Sequence, residues 1–119
     1  MSLKFHYIGN VPIMLKKLET LEEKQIGFMF KTSRPSDDFG MLFVNNAAYK
    51  QSFWMKNVPF DLDLLGFNEN NKLVEVIKLI AQDETPRTFS MYVQNVVEVR
   101  SGWTDDFSIS IGDELIEIT

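Results

Sequence analysis

The chain contains no cysteine and a single histidine, His6. Disulfides, thiolate nucleophiles and cysteine-held zinc or iron–sulfur sites are excluded, and one imidazole cannot build a histidine metal site within one chain. Basic residues are few and scattered: 12 Lys and Arg stand against 17 Asp and Glu, a net charge of −5. The nearest thing to a basic cluster, Lys16-Lys17, is followed at once by Glu19, Glu22 and Glu23. Neutralising phosphates takes clustered cations, so no nucleic-acid partner is expected of this acidic chain. No apolar run approaches the roughly 20 residues that span a bilayer. The opening MSLKFHYIGN is too short in apolar length for a signal peptide and lacks a small-residue cleavage site. A soluble protein without a membrane partner is expected, cytoplasmic as written. Met1-Ser2-Leu3 reads as a vector-derived start, however, and a leader removed from in front of it would make the protein an exported one. Phosphate-cradling glycine loops and dinucleotide or Walker signatures are missing. A nucleophilic triad is not expected either, because the only histidine stands near a terminus read as frayed. An oxygen-only site for a hard cation stays open on composition, but no metal or cofactor is called for.

What remains is an ordinary globular composition, 45% hydrophobic and 24% charged over 119 residues, enough for one domain with one core. Pro12 to Leu18 is read as an edge strand. Thr20-Leu21-Glu22-Glu23 fits a capping box, and the apolar residues behind it predict a helix over 21–30, with Gly27 inside it costing about 1 kcal/mol relative to alanine. TSRPSDDFG is a loop. MLFV and SFWMKN are strands, the second stopped by Pro59. LDLLGFNENNKLVEVIKLI is the clearest hairpin, turning at Asn68 to Asn71. Both of its faces are apolar, which places it at the centre of the fold. AQDETPRTFS is a second loop, MYVQNVVEV a strand, residues 102–107 a turn or one helical turn. SISI and ELIEI close the chain around a Gly112-Asp113 turn. The predicted class is α+β and β-dominated: a small, partly closed β-barrel of about seven strands with one or two short helices, one plugging an end.

GFMFK (residues 27–31), GMLFV (40–44), FWMKN with PFDLDLLGF, NVVEV with Gly102, and SIGDELIEI occur in an order and spacing that resemble one family, the uncharacterised domain of unknown function 192. The resemblance runs over residues 12–118. It implies a small β-rich fold, often exported in bacteria, and no established activity. The chain departs from the family pattern at Lys31, where Arg is usual, at Val58-Pro59-Phe60-Asp61 in place of Ile-Pro-Leu-Asp, and at Asn71 in place of Gly. The match is poor from Ile80 to Tyr92.

The densest chemistry lies in Ser52 to Asp61. On a regular strand Phe53, Met55 and Asn57 point one way and Ser52, Trp54 and Lys56 the other. In the simplest account Phe53 and Met55 enter the core, Lys56 lies over Trp54, and Asn57 bonds backbone before Pro59. In the functional account Trp54, Lys56, Asn57 and Asp61 line a pocket: a stacking platform, a positive charge and two polar groups to orient hydroxyls. Asp63 is a secondary candidate, either sharing a hard cation with Asp61 or pairing with Lys78, which it would face across a two-residue turn. A three-residue bulged turn would shift that register by one. Arg87 could clamp an anion or simply be surface, and Trp103 is read as a lid on the barrel end. Of two further acidic pairs, Asp37-Asp38 is read as solvated and Asp105-Asp106 as following an N-cap at Thr104. The leading expectation is a non-catalytic binding or accessory module for a small polar ligand or a protein partner, with the pocket bordered by loops 33–39 and 81–91. A hydrolase or lyase using Lys56 and Asp61 is the second reading, and a subunit pairing through a sheet edge the third. Oligomeric state is not legible.

Overall fold

The computed structural model describes residues 2–118; Met1 and Thr119 lie outside the described residues. The chain runs β1 (Leu3–Ile8), β2 (Val11–Leu18), α1 (Leu21–Ile26), β3 (Phe39–Phe43), β4 (Ser52–Phe53), β5 (Leu62–Phe67), β6 (Leu73–Leu79), β7 (Arg87–Thr88), β8 (Asn95–Arg100), α2 (Trp103–Asp106) and β9 (Leu115–Glu117). Seven strands form one sheet in the order β6-β5-β8-β3-β2-β1-β9, and β4 pairs with β7 as a separate ribbon. Only β2 and β3 run parallel, the geometry that requires a crossover, and α1 lies on that connection. The sheet curls until its ends meet. Leu73 at the start of β6 exchanges backbone hydrogen bonds with Gly112 and Asp113, and Lys72 bridges Glu114 just before β9. This is the partly closed, β-dominated barrel expected from the strand count.

Curling gives the sheet two buried faces. Ile8, Ile13, Leu15, Leu42, Leu65, Phe67, Leu73, Val97, Val99, Trp103 and Leu115 pack together and draw on all seven strands, so they fill the inside of the curl. Met41, Phe43, Leu62, Leu64, Ile77, Leu79 and Val96 alternate with them along the strands. These point outward, beneath a second layer that includes Phe28, Met55, Val58, Phe89 and Val93. Every residue of β5 is consequently buried, the physical reason its sequence is apolar on both faces apart from Asp63.

Several local expectations are corrected. β2 is not an edge strand: it lies between β1 and β3, and β1 itself was not expected. His6 is not on a frayed end but 2% exposed in β1, with strands on both sides. Its pKa is held below the usual value, chiefly by burial. The capping box of α1 forms: Glu23 N–H donates to Thr20 Oγ1, and Thr20 N–H donates to Glu23 Oε1. The helix nevertheless stops at Ile26, because Gly27 takes φ +47° and ends it. Of SFWMKN only Ser52 and Phe53 are strand. Met55 N–H then bonds Asp83 O, Val58 N–H bonds Met55 O, and Asn57 adopts φ +60°, so the expected alternation of side chains ends at Phe53. SISI forms no strand, and the residue preceding α2 as its cap is Gly102, not Thr104. β5 is central, but β6 ends the sheet. The hairpin has a three-residue turn with Asn71 at φ +57°, yet Asp63 still faces Lys78, because a bulge beside Gly66 and Phe67 restores the register.

Candidate functional site

A cleft of about 440 Å³ opens between α1 with the following Gly27-Phe28-Met29 turn and the Gln51 to Trp54 segment. Its walls are largely apolar and aromatic, with Phe28, Phe43, Tyr49, Phe53 and Trp54 among them. Phe43 and Phe53 meet edge to face with centroids 5.1 Å apart, and Phe53 meets Phe89 the same way at 6.2 Å. These contacts hold the β4–β7 ribbon against the outer face of the sheet and fix one wall of the cleft.

One edge of the cleft, joining the two sides, is polar and internally tied. Lys24 Nζ donates to Asn45 Oδ1 (2.9 Å), and Asn45 Nδ2 donates to Gln51 Oε1 (3.3 Å) and Gln94 O (2.9 Å). Gln51 Nε2 in turn donates to Val93 O and Gln94 O, both at 2.9 Å. Amides so engaged form a rigid edge rather than a reservoir of free donors.

Glu98 lies at the floor. It is the charged interruption in the apolar run Val96-Val97-Glu98-Val99 of β8, with Met41 and Leu64 opposite it on the neighbouring strands. Strand alternation gives it the same side as Val96 and Met41, so its carboxyl rises from the sheet into the outer layer. The residue is 5% exposed. The described residues offer its carboxyl no hydrogen bond and no ion pair, and burial alone pushes its pKa up to about 8. The one fully enclosed side-chain polar atom without a partner among the described residues is Thr104 Oγ1, so the Glu98 oxygens keep access to the cleft. Gly27 lies beside it: a Cβ there would be in van der Waals contact with Glu98 Oε1 at 3.6 Å and the Phe43 ring at 3.5 Å.

The residues singled out from the sequence are distributed around this feature. Trp54 lines the cleft at 45% exposure, and Lys56 Nζ sits 5.4 Å from the centre of its indole. Asn57 contributes its backbone carbonyl to Phe30 N–H (2.9 Å). Asp61 accepts a hydrogen bond from Ala81 N–H (2.8 Å) and is not among the residues lining the cleft. Asp63, 0% exposed, accepts from Gly102 N–H (3.2 Å), Thr104 N–H (3.0 Å) and Lys78 Nζ (3.0 Å) at the far end of the barrel. Exposed Arg87 donates to Lys78 O. Trp103 is fully buried inside the curl and donates from Nε1 to Asp37 O (2.7 Å). Asp37 also receives Arg100 Nε at 2.7 Å. Trp54 thus lines the cleft with Lys56 over its indole, while Asn57, Asp61, Asp63, Arg87 and Trp103 do not line it. Glu98, Lys24, Asn45 and Gln51 were missed. The legible signal was the lone acid inside a β-branched strand, since a polar residue there must be paired, functional or costly.

Fold and cleft together define a class: a small curled-sheet domain with an acid-floored, aromatic-walled cleft on its outer layer. The chain belongs to domain of unknown function 192, described as an uncharacterized ACR, which it matches over residues 6–116. Two solved structures share the fold. A protein of unknown function from Novosphingobium aromaticivorans DSM 12444 superposes with a TM-score of 0.86 at 23% identity, over 95% of this chain and 84% of that one. A protein from Sinorhizobium meliloti 1021, named a "putative transcription regulator", gives 0.89 at 20% identity, over 97% and 92% of the two chains. At these identities the likeness speaks to the fold. No curated protein matches the chain. Among the described residues no helix is long and apolar enough to cross a membrane, and no group of three or more acidic or histidine side chains is gathered to hold a metal ion.

Proposed function

We propose that the chain is a binding module, acting as one domain, that takes a small molecule into the cleft between α1 and the β4–β7 ribbon. The observation that carries this reading is Glu98: a buried carboxyl with no partner of its own, facing an aromatic-walled space large enough for a small organic molecule. A protein gains nothing in stability from such a group, and a guest that completes its hydrogen bonds supplies what the fold withholds. Trp54 lines the cleft, where an indole can stack on a flat guest, and Lys56 lies over that indole. Lys24 is the other charged side chain lining the cleft, and its ammonium is engaged by Asn45. Among the described residues no second carboxyl lines the cleft beside Glu98, and Lys24 is tied to Asn45, which favours binding over turnover. The alternative pair, Lys56 with Asp61, has its acid held by Ala81 N–H.

A thermal-shift screen of sugars, nucleotides and small aromatic compounds, followed by amide spectra of the hits, tests the reading. A ligand at a hundredfold excess over its Kd adds about 2.7 kcal/mol of stability. Its spectral changes are expected to cluster at Gly27, Phe43, Phe53, Trp54 and Glu98. Hits that perturb only residues away from the cleft would contradict the assignment.

A further inference from the structure

We propose that the cleft selects an organic cation: a primary or secondary amine carried on an apolar or aromatic body, its ammonium group seated on the Glu98 carboxylate. This rests on the binding reading above and names the ligand class for that same site.

Three features converge on that chemistry. The carboxyl at the floor has two acceptor oxygens and receives no donor from the fold, while an ammonium group offers two or three donors with a compensating charge. The walls present rings of Phe28, Phe43, Tyr49, Phe53 and Trp54, whose negative faces favour a cation over an anion. One of these rings already carries a cation, the Lys56 ammonium over Trp54. Finally, Glu98 lines the cleft beside Gly27, where the missing side chain leaves methyl-sized room 3.6 Å from Glu98 Oε1.

The charges around Glu98 fit this polarity. From β3 and β5 it is flanked by Met41 and Leu64, which carry none. From α1 the only charged side chain lining the cleft is Lys24, held on the amide edge by Asn45, and from the loop before β4 there is the phenol of Tyr49. An ammonium guest therefore finds one uncompensated acid, with the Lys24 ammonium opposing its entry from the polar edge and the Lys56 ammonium opposing it from over Trp54.

Docking of an ammonium ion ionises Glu98. Below about pH 8 the empty protein holds a proton on that carboxyl. Forming the carboxylate–ammonium pair releases this proton to solvent, while the amine keeps its own. Affinity for an amine is thus expected to rise about tenfold per pH unit between roughly pH 6 and 8 and to level off above, with close to one proton released per molecule bound.

The test compares three probes of one shape on the intact chain: phenethylamine, phenethyl alcohol and phenylpropionate, by calorimetry in buffers of different ionisation enthalpy and by amide spectra. Phenethylamine is expected to bind in the cleft with proton release and to exceed the alcohol by at least about tenfold. Glu98→Gln is expected to abolish the pH slope and most of the affinity while melting no lower than the parent protein. Alcohol or carboxylate binding in the cleft as tightly as the amine would overturn the cation assignment and leave the binding reading standing. Amine binding unchanged by Glu98→Gln would overturn it too. Silence from all three probes at millimolar concentration would count against both.

Discussion

Glu98→Gln is expected to make the empty protein more stable at neutral pH by about 3 kcal/mol relative to its effect near pH 4. The unfolded chain gives up the Glu98 proton near 4.5, whereas the folded chain holds it to about 8. Between those values the native state binds one proton more than the unfolded state, so stability falls as pH rises, by about 1.4 kcal/mol per unit. By pH 7 the loss is roughly 3 kcal/mol, and it is complete once pH passes the folded pKa. Glutamine has nearly the same shape and no proton to lose, so the variant escapes this slope. Other shifted groups, such as Glu117 with its pKa lowered mainly by the bond from Lys17, act equally on both proteins and cancel in the difference. Urea unfolding of the two proteins at about pH 4 and pH 7 reads the effect. Parallel pH profiles would mean that Glu98 ionises normally in the fold.

Asp63→Ala is expected to cost about 3–5 kcal/mol, and Lys78→Ala no more than about 1 kcal/mol. The asymmetry follows from where the bonds go. Lys78 is half exposed and returns to water when its partner is lost, so their ion pair contributes little. The two backbone donors, Gly102 N–H and Thr104 N–H, have no such escape. They open α2, a single turn whose own N-cap is a glycine with no side chain to offer. Asp63 therefore caps that turn from β5, across the barrel end, and holds in place the helix that carries fully buried Trp103. Equal losses in the two variants under urea would assign the effect to the ion pair instead.

The parts of the fold that rest on local chemistry were legible. Thr20 and Glu23 announced the start of α1, Asn71 the turn into β6, and the apolar residues on both faces of β5 a doubly buried strand. Where a reading failed, the deciding contact was distant in sequence. β1 carries several exposed apolar side chains and became a strand only because β2 and β9 flank it. Trp54 to Asn57 left strand geometry where Met55 N–H found Asp83 O rather than a ladder partner. Thr104 was read as a cap because the acid that caps α2 comes from Asp63, far back in the chain. Of the residues lining the cleft, Trp54 was in view, with Lys56 over its indole. The floor was not: Glu98 stood in a segment quoted for its family likeness, and only the fold shows that its carboxyl meets Gly27 and the aromatic wall instead of a lysine.

The account turns on a carboxylic acid kept neutral at physiological pH by its burial at the floor of the cleft. Its most direct test is a pH titration of the Glu98 side-chain carboxyl carbon by NMR, with the resonance assigned by its disappearance in Glu98→Gln. A midpoint near 8 in the free protein, falling when phenethylamine is added, is the predicted result. A midpoint near 4.5, unmoved by the amine, would contradict it.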